Sequence, residues 1–286
     1  MTKDNLIYIS SSCIKNKTVF ETVKILADQG IKNIELSGGH VYQENFLNDL
    51  VQLKKNYSLN YSIHNYFPPP KENFVLNIAS CNDIIFQKTI NFYKNTINLC
   101  EKLNVSKYGM HGGFLIDPKP KELGSTISNH DLYLKKNSLQ QMLSGYKTLN
   151  KNKNIKLYFE NNVLSKKNLE RFKTNPFLLT DTNSFRELKK SIDFNLLLDL
   201  AHLKVSCKSL NLNFYDEANS LIKETDYLHI SGNDGNHDSN NSIIEDKQLI
   251  KVLDKNNLKS KTITLEIYDD LPTIKKNLNF INKLIH

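Results

Sequence analysis

Along the chain, eight short runs rich in β-branched and aromatic residues alternate with longer stretches whose apolar positions recur every three or four residues. The runs are Leu6–Ser11, Ile31–Leu36, Leu59–His64, Val105–His111, Ile155–Glu160, Phe194–Asp199, Tyr227–Ser231 and Thr262–Ile267. Several are apolar almost throughout, the pattern of a strand covered on both faces. Between them the spacing predicts helices over Val19–Gln29, Gln43–Lys55, Ile84–Leu103, Ser138–Leu149 and Leu271–Ile285. Eight strand-then-helix units, with no compositional shift to mark a boundary, predict an α/β fold of one domain over residues 1–286, a (β/α)8 TIM barrel. A doubly wound open sheet is the alternative. It normally has a glycine-rich turn after its first strand, and here that turn reads Ser10-Ser11-Ser12-Cys13.

Composition removes several classes of protein. With 39% hydrophobic residues, 14 Phe and 13 Tyr, the 286-residue chain can bury one sizeable core and is not disordered. Only 10 Gly and 7 Pro exclude a collagenous or low-complexity chain. The net charge of +8 raises the question of a nucleic-acid partner. Yet Arg171 and Arg186 are the only arginines among 38 basic residues, and gripping phosphate or reading bases favours the bidentate arginine fork. Nucleic acid is therefore not the expected partner. Cys13, Cys81, Cys100 and Cys207 show no metal-type spacing and imply no disulfide framework. The N-terminal MTKDNLIYISSSC is not a secretion signal, and no apolar run approaches membrane-spanning length, so the cytoplasm is the expected compartment.

The strand endings carry the chemistry. They read Ile34-Glu35-Leu36-Ser37-Gly38-Gly39-His40, Ile63-His64-Asn65-Tyr66, Met110-His111-Gly112-Gly113, Phe159-Glu160-Asn161-Asn162, Leu198-Asp199-Leu200-Ala201-His202, Leu228-His229-Ile230-Ser231 and Leu265-Glu266-Ile267. Ionisable groups within apolar strands are costly unless paired or ligating. Taken singly, Glu160 or Glu266 reads as an ion-pair partner, His64 or His111 as a structural imidazole, and Asp199 as a helix cap. Taken together, His64, His111, Glu160, Asp199, His202, His229 and Glu266 place metal-binding side chains on six successive strands, all converging on the C-terminal mouth of a barrel. Two glutamates, an aspartate and a histidine make a hard, oxygen-rich donor set. It suits one divalent cation, with Mn²⁺, Mg²⁺ or Co²⁺ favoured and Zn²⁺ accommodated.

From Ile34 to Glu266 this ordered set resembles the xylose-isomerase-like TIM-barrel superfamily, which unites sugar and sugar-phosphate isomerases and epimerases with class II apurinic/apyrimidinic endonucleases. The resemblance to the epimerase branch implies a metal held by Glu160, Asp199, His229 and Glu266. It implies Glu160 and Glu266 as the acid/base pair and His202 as a substrate-binding residue; independently of the resemblance, His64 and His111 are expected to line the pocket and bind substrate hydroxyls or a second ion. The expected reaction is isomerisation or epimerisation of a sugar or sugar phosphate. A proton leaves the carbon next to a carbonyl, and a metal-stabilised enediolate is reprotonated. The expected partner is thus a small carbohydrate, with no membrane; association into homo-oligomers is left open.

Two rival readings share the scaffold, a zinc-dependent endonuclease and a metal-dependent lyase or dehydratase. The endonuclease branch also uses an Asp-x-His after strand 7, where this chain has Asp238-Ser239-Asn240, with His237 as the nearest substitute. Some ketose epimerases carry an arginine six residues after the strand 7 histidine; here that residue is Gly235. The loop from Gly232 to Asp238 has the Asn-Asp-Gly composition of a tight turn. Lys204 is expected to be solvated, with phosphate binding as its alternative role. Tyr66 and Phe67, before Pro68-Pro69-Pro70, are expected to form either an apolar wall or an ordinary packed loop.

Overall fold

In the computed structural model, which describes residues 6–128, 131–151 and 154–285, eight parallel strands close into a barrel in strict chain order. They are β1 (Ile7–Ser10), β2 (Asn33–Leu36), β3 (Asn60–Ile63), β4 (Lys107–His111), β5 (Lys156–Glu160), β6 (Asn195–Asp199), β7 (Tyr227–Ile230) and β8 (Thr262–Leu265). The expected (β/α)8 barrel is thereby met, and the open sheet is excluded by the pairing of β1 with β8. Each strand lies inside its expected run. Central strand residues such as Ile9, Ile34, Ile63, Tyr108, Phe159, Leu198, Leu228 and Ile263 are fully buried, the consequence of helices outside and packed side chains within.

The helices are α1 (Val19–Asp28), α2 (Phe46–Tyr57), α3 (Asp83–Lys102), α4 (Lys135–Leu149), α5 (Lys166–Phe172), α6 (Thr182–Ser191), α7 (Leu200–Leu210), α8 (Phe214–Leu221), α9 (Lys247–Lys255) and α10 (Leu271–Ile285). Side-chain oxygens fix several starts: Thr18 and Glu21 form a capping box on α1, and Asp181 caps α6. Among the described residues, no helix is long and apolar enough to cross a membrane. The four cysteines are free; Cys13, Cys100 and Cys207 are buried, and Cys81 is partly exposed.

Register sets the stage for chemistry. His111 pairs with Glu160 across β4 and β5, Asp199 with His229 across β6 and β7, and Ser10 with Glu35 across β1 and β2. Neighbouring strands thus deliver ionisable side chains to one level at the C-terminal mouth.

Candidate metal centre

His229 is the hub. Its Nδ1 lies 3.1 Å from Glu160 Oε1 and 3.7 Å from Glu266 Oε2, and Asp199 offers a further oxygen to the group it forms with Glu160. The other oxygen of Glu160 faces two imidazoles, His64 Nε2 at 3.0 Å and His111 Nε2 at 3.4 Å. Glu35, Glu160 and His229 are wholly buried, and Asp199 and Glu266 nearly so.

Asp199 does two things at once. It caps α7 by accepting the His202 N–H at 2.7 Å, and its strand position keeps it in the cluster. Asn161 holds it there, since its side chain accepts the Asp199 N–H at 2.7 Å and donates to the Asp199 carbonyl at 2.9 Å. The Asn161 carbonyl takes His202 Nδ1 at 2.9 Å, which leaves His202 Nε2 facing Asp238 Oδ2 at 3.3 Å.

Burial disfavours every charge here, so neighbours decide each protonation state. On Glu160 burial is overcome by His64, His111 and His229, which hold its carboxyl well below the usual range. Glu266 goes the other way: burial raises it, reinforced by Glu160 and Glu35 against His229 and His64. Burial raises Asp199 to about 7, with Glu160 and Asp238 adding to the effect against His202. Burial also lowers His111 to about 4, while Asp199 and Asp238 overcome burial at His202 and raise it well above its ordinary value. His64 is held above the ordinary imidazole value, because Glu160 outweighs burial.

The cluster fits a divalent cation. Two ligand atoms each about 2.1 Å from one ion stand roughly 3 to 3.6 Å apart, close to the separations around His229 Nδ1. His229 Nδ1 and Glu160 Oε1 are buried without a hydrogen-bond partner, and a cation between them would satisfy both. Among the described residues three overlapping groups could each hold an ion: Glu160, Asp199 and His229; Glu35, His64, His229 and Glu266; and His64, His111 and Glu160. No thiolate belongs to any of them, which suits a hard cation.

A cavity of about 900 Å³ opens beside the cluster. His111, His202 and Asp238 reach it, and Tyr66, Phe114 and Phe177 give it an apolar flank. Tyr66 does form a wall, pinned by the Leu76 N–H on its hydroxyl at 3.2 Å, whereas Phe67 turns inward to pack on Phe46.

Three expectations change. Lys204 is neither solvated nor free for phosphate: it is buried, 2.7 Å from both carboxylate oxygens of Asp246, and donates to the Asn233 carbonyl. His237 is largely exposed, and its nearest carboxylate is Asp234 at 4.0 Å, so it does not replace the imidazole absent at position 240. Asn240 itself is buried and structural, accepting from the Ser231 hydroxyl at 2.9 Å. Glu35 is the residue that strand-end reasoning left out of the site, although it lies in the apolar Ile34-Glu35-Leu36 and carries the same signal as Glu160. Its carboxylate receives the Tyr227 hydroxyl, the Thr264 hydroxyl at 3.0 Å and His229 Nε2.

No protein-family model matches the sequence, and no curated protein matches it. Solved structures do. This barrel is shared with sugar 3-epimerases and an endonuclease IV. A D-tagatose 3-epimerase-like protein matches over the full length of both chains at 19% identity with a TM-score of 0.72. An L-ribulose 3-epimerase matches over 98% of this chain and 94% of its own at 12% identity, TM-score 0.67. Endonuclease IV from Thermus thermophilus matches over 99% of this chain and 98% of its own at 12% identity, TM-score 0.61. At such identities the likeness establishes the fold, the one expected from the resemblance to xylose-isomerase-like barrels, and leaves function to the site.

Proposed function

We propose that the protein is a metal-dependent isomerase or epimerase of a sugar or sugar phosphate. The observation that carries this reading is the convergence of Glu160 Oε1 and Glu266 Oε2 on His229 Nδ1, beside a cavity reached by His111 and His202. The epimerase neighbours on the same fold support it.

In this reading Glu160, Asp199, His229 and Glu266 hold one divalent ion, Mn²⁺, Mg²⁺ or Co²⁺ in preference to Zn²⁺. When bound, such an ion supplies Lewis acidity at a carbonyl and its adjacent hydroxyl. Glu160 on β5 and Glu266 just beyond β8 reach the site from different strands, as base and acid must if they serve opposite faces of a planar intermediate. His111 and His202 bind substrate hydroxyls from the cavity floor. His64, expected to line the pocket and bind substrate, is not among the residues lining the cavity; in this reading it instead keeps the Glu160 carboxylate oriented. The Tyr66, Phe114 and Phe177 flank excludes water from one side of the substrate.

The test is solvent-deuterium incorporation into a panel of ketoses by the metal-loaded protein, beside a nicking assay on abasic-site DNA. The reading predicts exchange at the carbon next to the carbonyl and no nicking. Glu160→Gln and Glu266→Gln should each lower turnover by about 10²-fold or more. Near-normal turnover in either variant contradicts the two-carboxylate mechanism, and nicking without exchange contradicts the reading as a whole.

A further inference from the structure

We infer that Glu35 is a positioning residue that fixes which nitrogen of His229 meets the metal. This rests on the metal centre proposed above and assigns a role to a buried carboxylate outside its four ligands.

His229 has two ring nitrogens, and only one can carry the lone pair offered to a cation. Its Nε2 lies 3.0 Å from Glu35 Oε1 and is hydrogen-bonded at 3.3 Å with Oε2. Its Nδ1 has no hydrogen-bond partner and faces Glu160 Oε1 and Glu266 Oε2. When a cation takes the Nδ1 lone pair, the carboxylate on Nε2 holds the one remaining ring proton there, and a histidine ligand with a carboxylate on its far nitrogen is a better donor held in a fixed ring orientation.

The carboxylate is itself tied down from below. The Tyr227 hydroxyl and the Thr264 hydroxyl both donate to Glu35 Oε2, and the Tyr227 hydroxyl also meets the Ser62 hydroxyl at 2.9 Å. Tyr227 lies two residues before His229 on β7, so their side chains point the same way into the barrel interior. Ser62 on β3, Tyr227 on β7 and Thr264 on β8 thus hold a β2 carboxylate against a β7 imidazole. All five side chains are buried, so the contact cannot relax into water. A negative charge this deep with no hydroxyl donors would be costly; here Oε2 has its donors, while Oε1, without a hydrogen-bond partner, faces His229 Nε2 at 3.0 Å.

The experiment is calorimetric titration of the metal-free protein with Mn²⁺, in wild type, Glu35→Ala, Glu35→Gln and Tyr227→Phe. Positioning predicts Mn²⁺ affinity lowered about 10- to 100-fold in Glu35→Ala. Glu35→Gln should recover part of that loss, because the amide oxygen still accepts the Nε2 proton. Tyr227→Phe should give a smaller loss in the same direction. The Co²⁺-loaded variants should keep the wild-type electronic spectrum, since the ligand set is unchanged. Proton-coupled ¹⁵N spectra of the loaded wild type should place the His229 proton on Nε2.

An altered Co²⁺ spectrum in Glu35→Gln would make Glu35 a ligand and overturn the inference, as would a proton found on Nδ1. So would Glu35→Ala binding Mn²⁺ as tightly as wild type. If wild type itself takes up neither Mn²⁺ nor Co²⁺, the metal-centre reading fails, and the inference fails with it. If Glu35→Ala does not fold, Glu35→Gln and Tyr227→Phe decide the outcome through affinity and spectrum.

Discussion

Lys204 Nζ lies 2.7 Å from both carboxylate oxygens of Asp246, with both side chains buried. Asp246 also caps α9 through the Leu249 N–H at 3.0 Å and accepts the Asn233 N–H at 3.2 Å. One pair therefore joins α7, α9 and the loop after β7, which borders the candidate site through Asp238. Breaking such a pair from one side leaves a buried charge uncompensated and costs about 3–5 kcal/mol. Asp246→Ala should cost more than Lys204→Met, because it also orphans two backbone donors. The double variant Lys204→Met/Asp246→Leu should recover part of the loss. Urea denaturation of all three tests this; equal midpoints for Lys204→Met and wild type would sink it.

His40, after β2, is buried with Nε2 at 2.8 Å from the Ser11 hydroxyl, and burial lowers its pKa from the ordinary 6.5 to about 4. Between those values the unfolded chain takes up a proton that the folded chain refuses. Stability contributed by neutral His40 is therefore complete above pH 6.5, falls as the pH drops, and levels off below about 4. The shift corresponds to roughly 3 kcal/mol at most. Unfolding free energies at pH 7.5 and 4.5 should differ less in His40→Gln than in wild type. Identical differences would show that His40 titrates normally.

Gly109 on β4 makes room for His64. A Cβ there would stand 2.8 Å from both His64 Cδ2 and Leu197 Cδ2, closer than side chains pack. Gly109→Ala should destabilise by about 1–3 kcal/mol and push His64 off Glu160. Thermal unfolding and Mn²⁺ titration read the two effects separately. A variant that melts and binds as wild type does would show that His64 has room to move.

The strands were legible because they are buried on both faces: runs such as Phe194–Asp199 and Ile155–Glu160 leave few polar positions, and the structure trims their ends by a residue or two. The site was legible for the related reason that Glu160, Asp199 and His229 interrupt those runs. Helices α5 to α9 were harder. Residues Leu200 to Cys207 of α7 are buried on every side, so no amphipathic stripe marks that helix, and α5 is only 7 residues long. Two helices, α5 and α6, also stand between β5 and β6 where a regular barrel has one. Lys204 misled because its partner lies 42 residues away, with no local sign of the pairing. Glu35 carried the same signal, one residue before the end of β2 as His229 is before the end of β7, but the family resemblance assigns metal ligands only to β5 through β8.

The most direct test of the metal centre is elemental analysis of protein purified without chelator, with His229→Ala and Glu160→Ala beside wild type. The account predicts about one Mn, Co or Mg per chain in wild type and substantial loss from both variants. Two or three Zn per chain would contradict the single-ion centre in favour of the endonuclease arrangement. Wild-type protein that contains no divalent metal and takes up none on titration would contradict the account at its root.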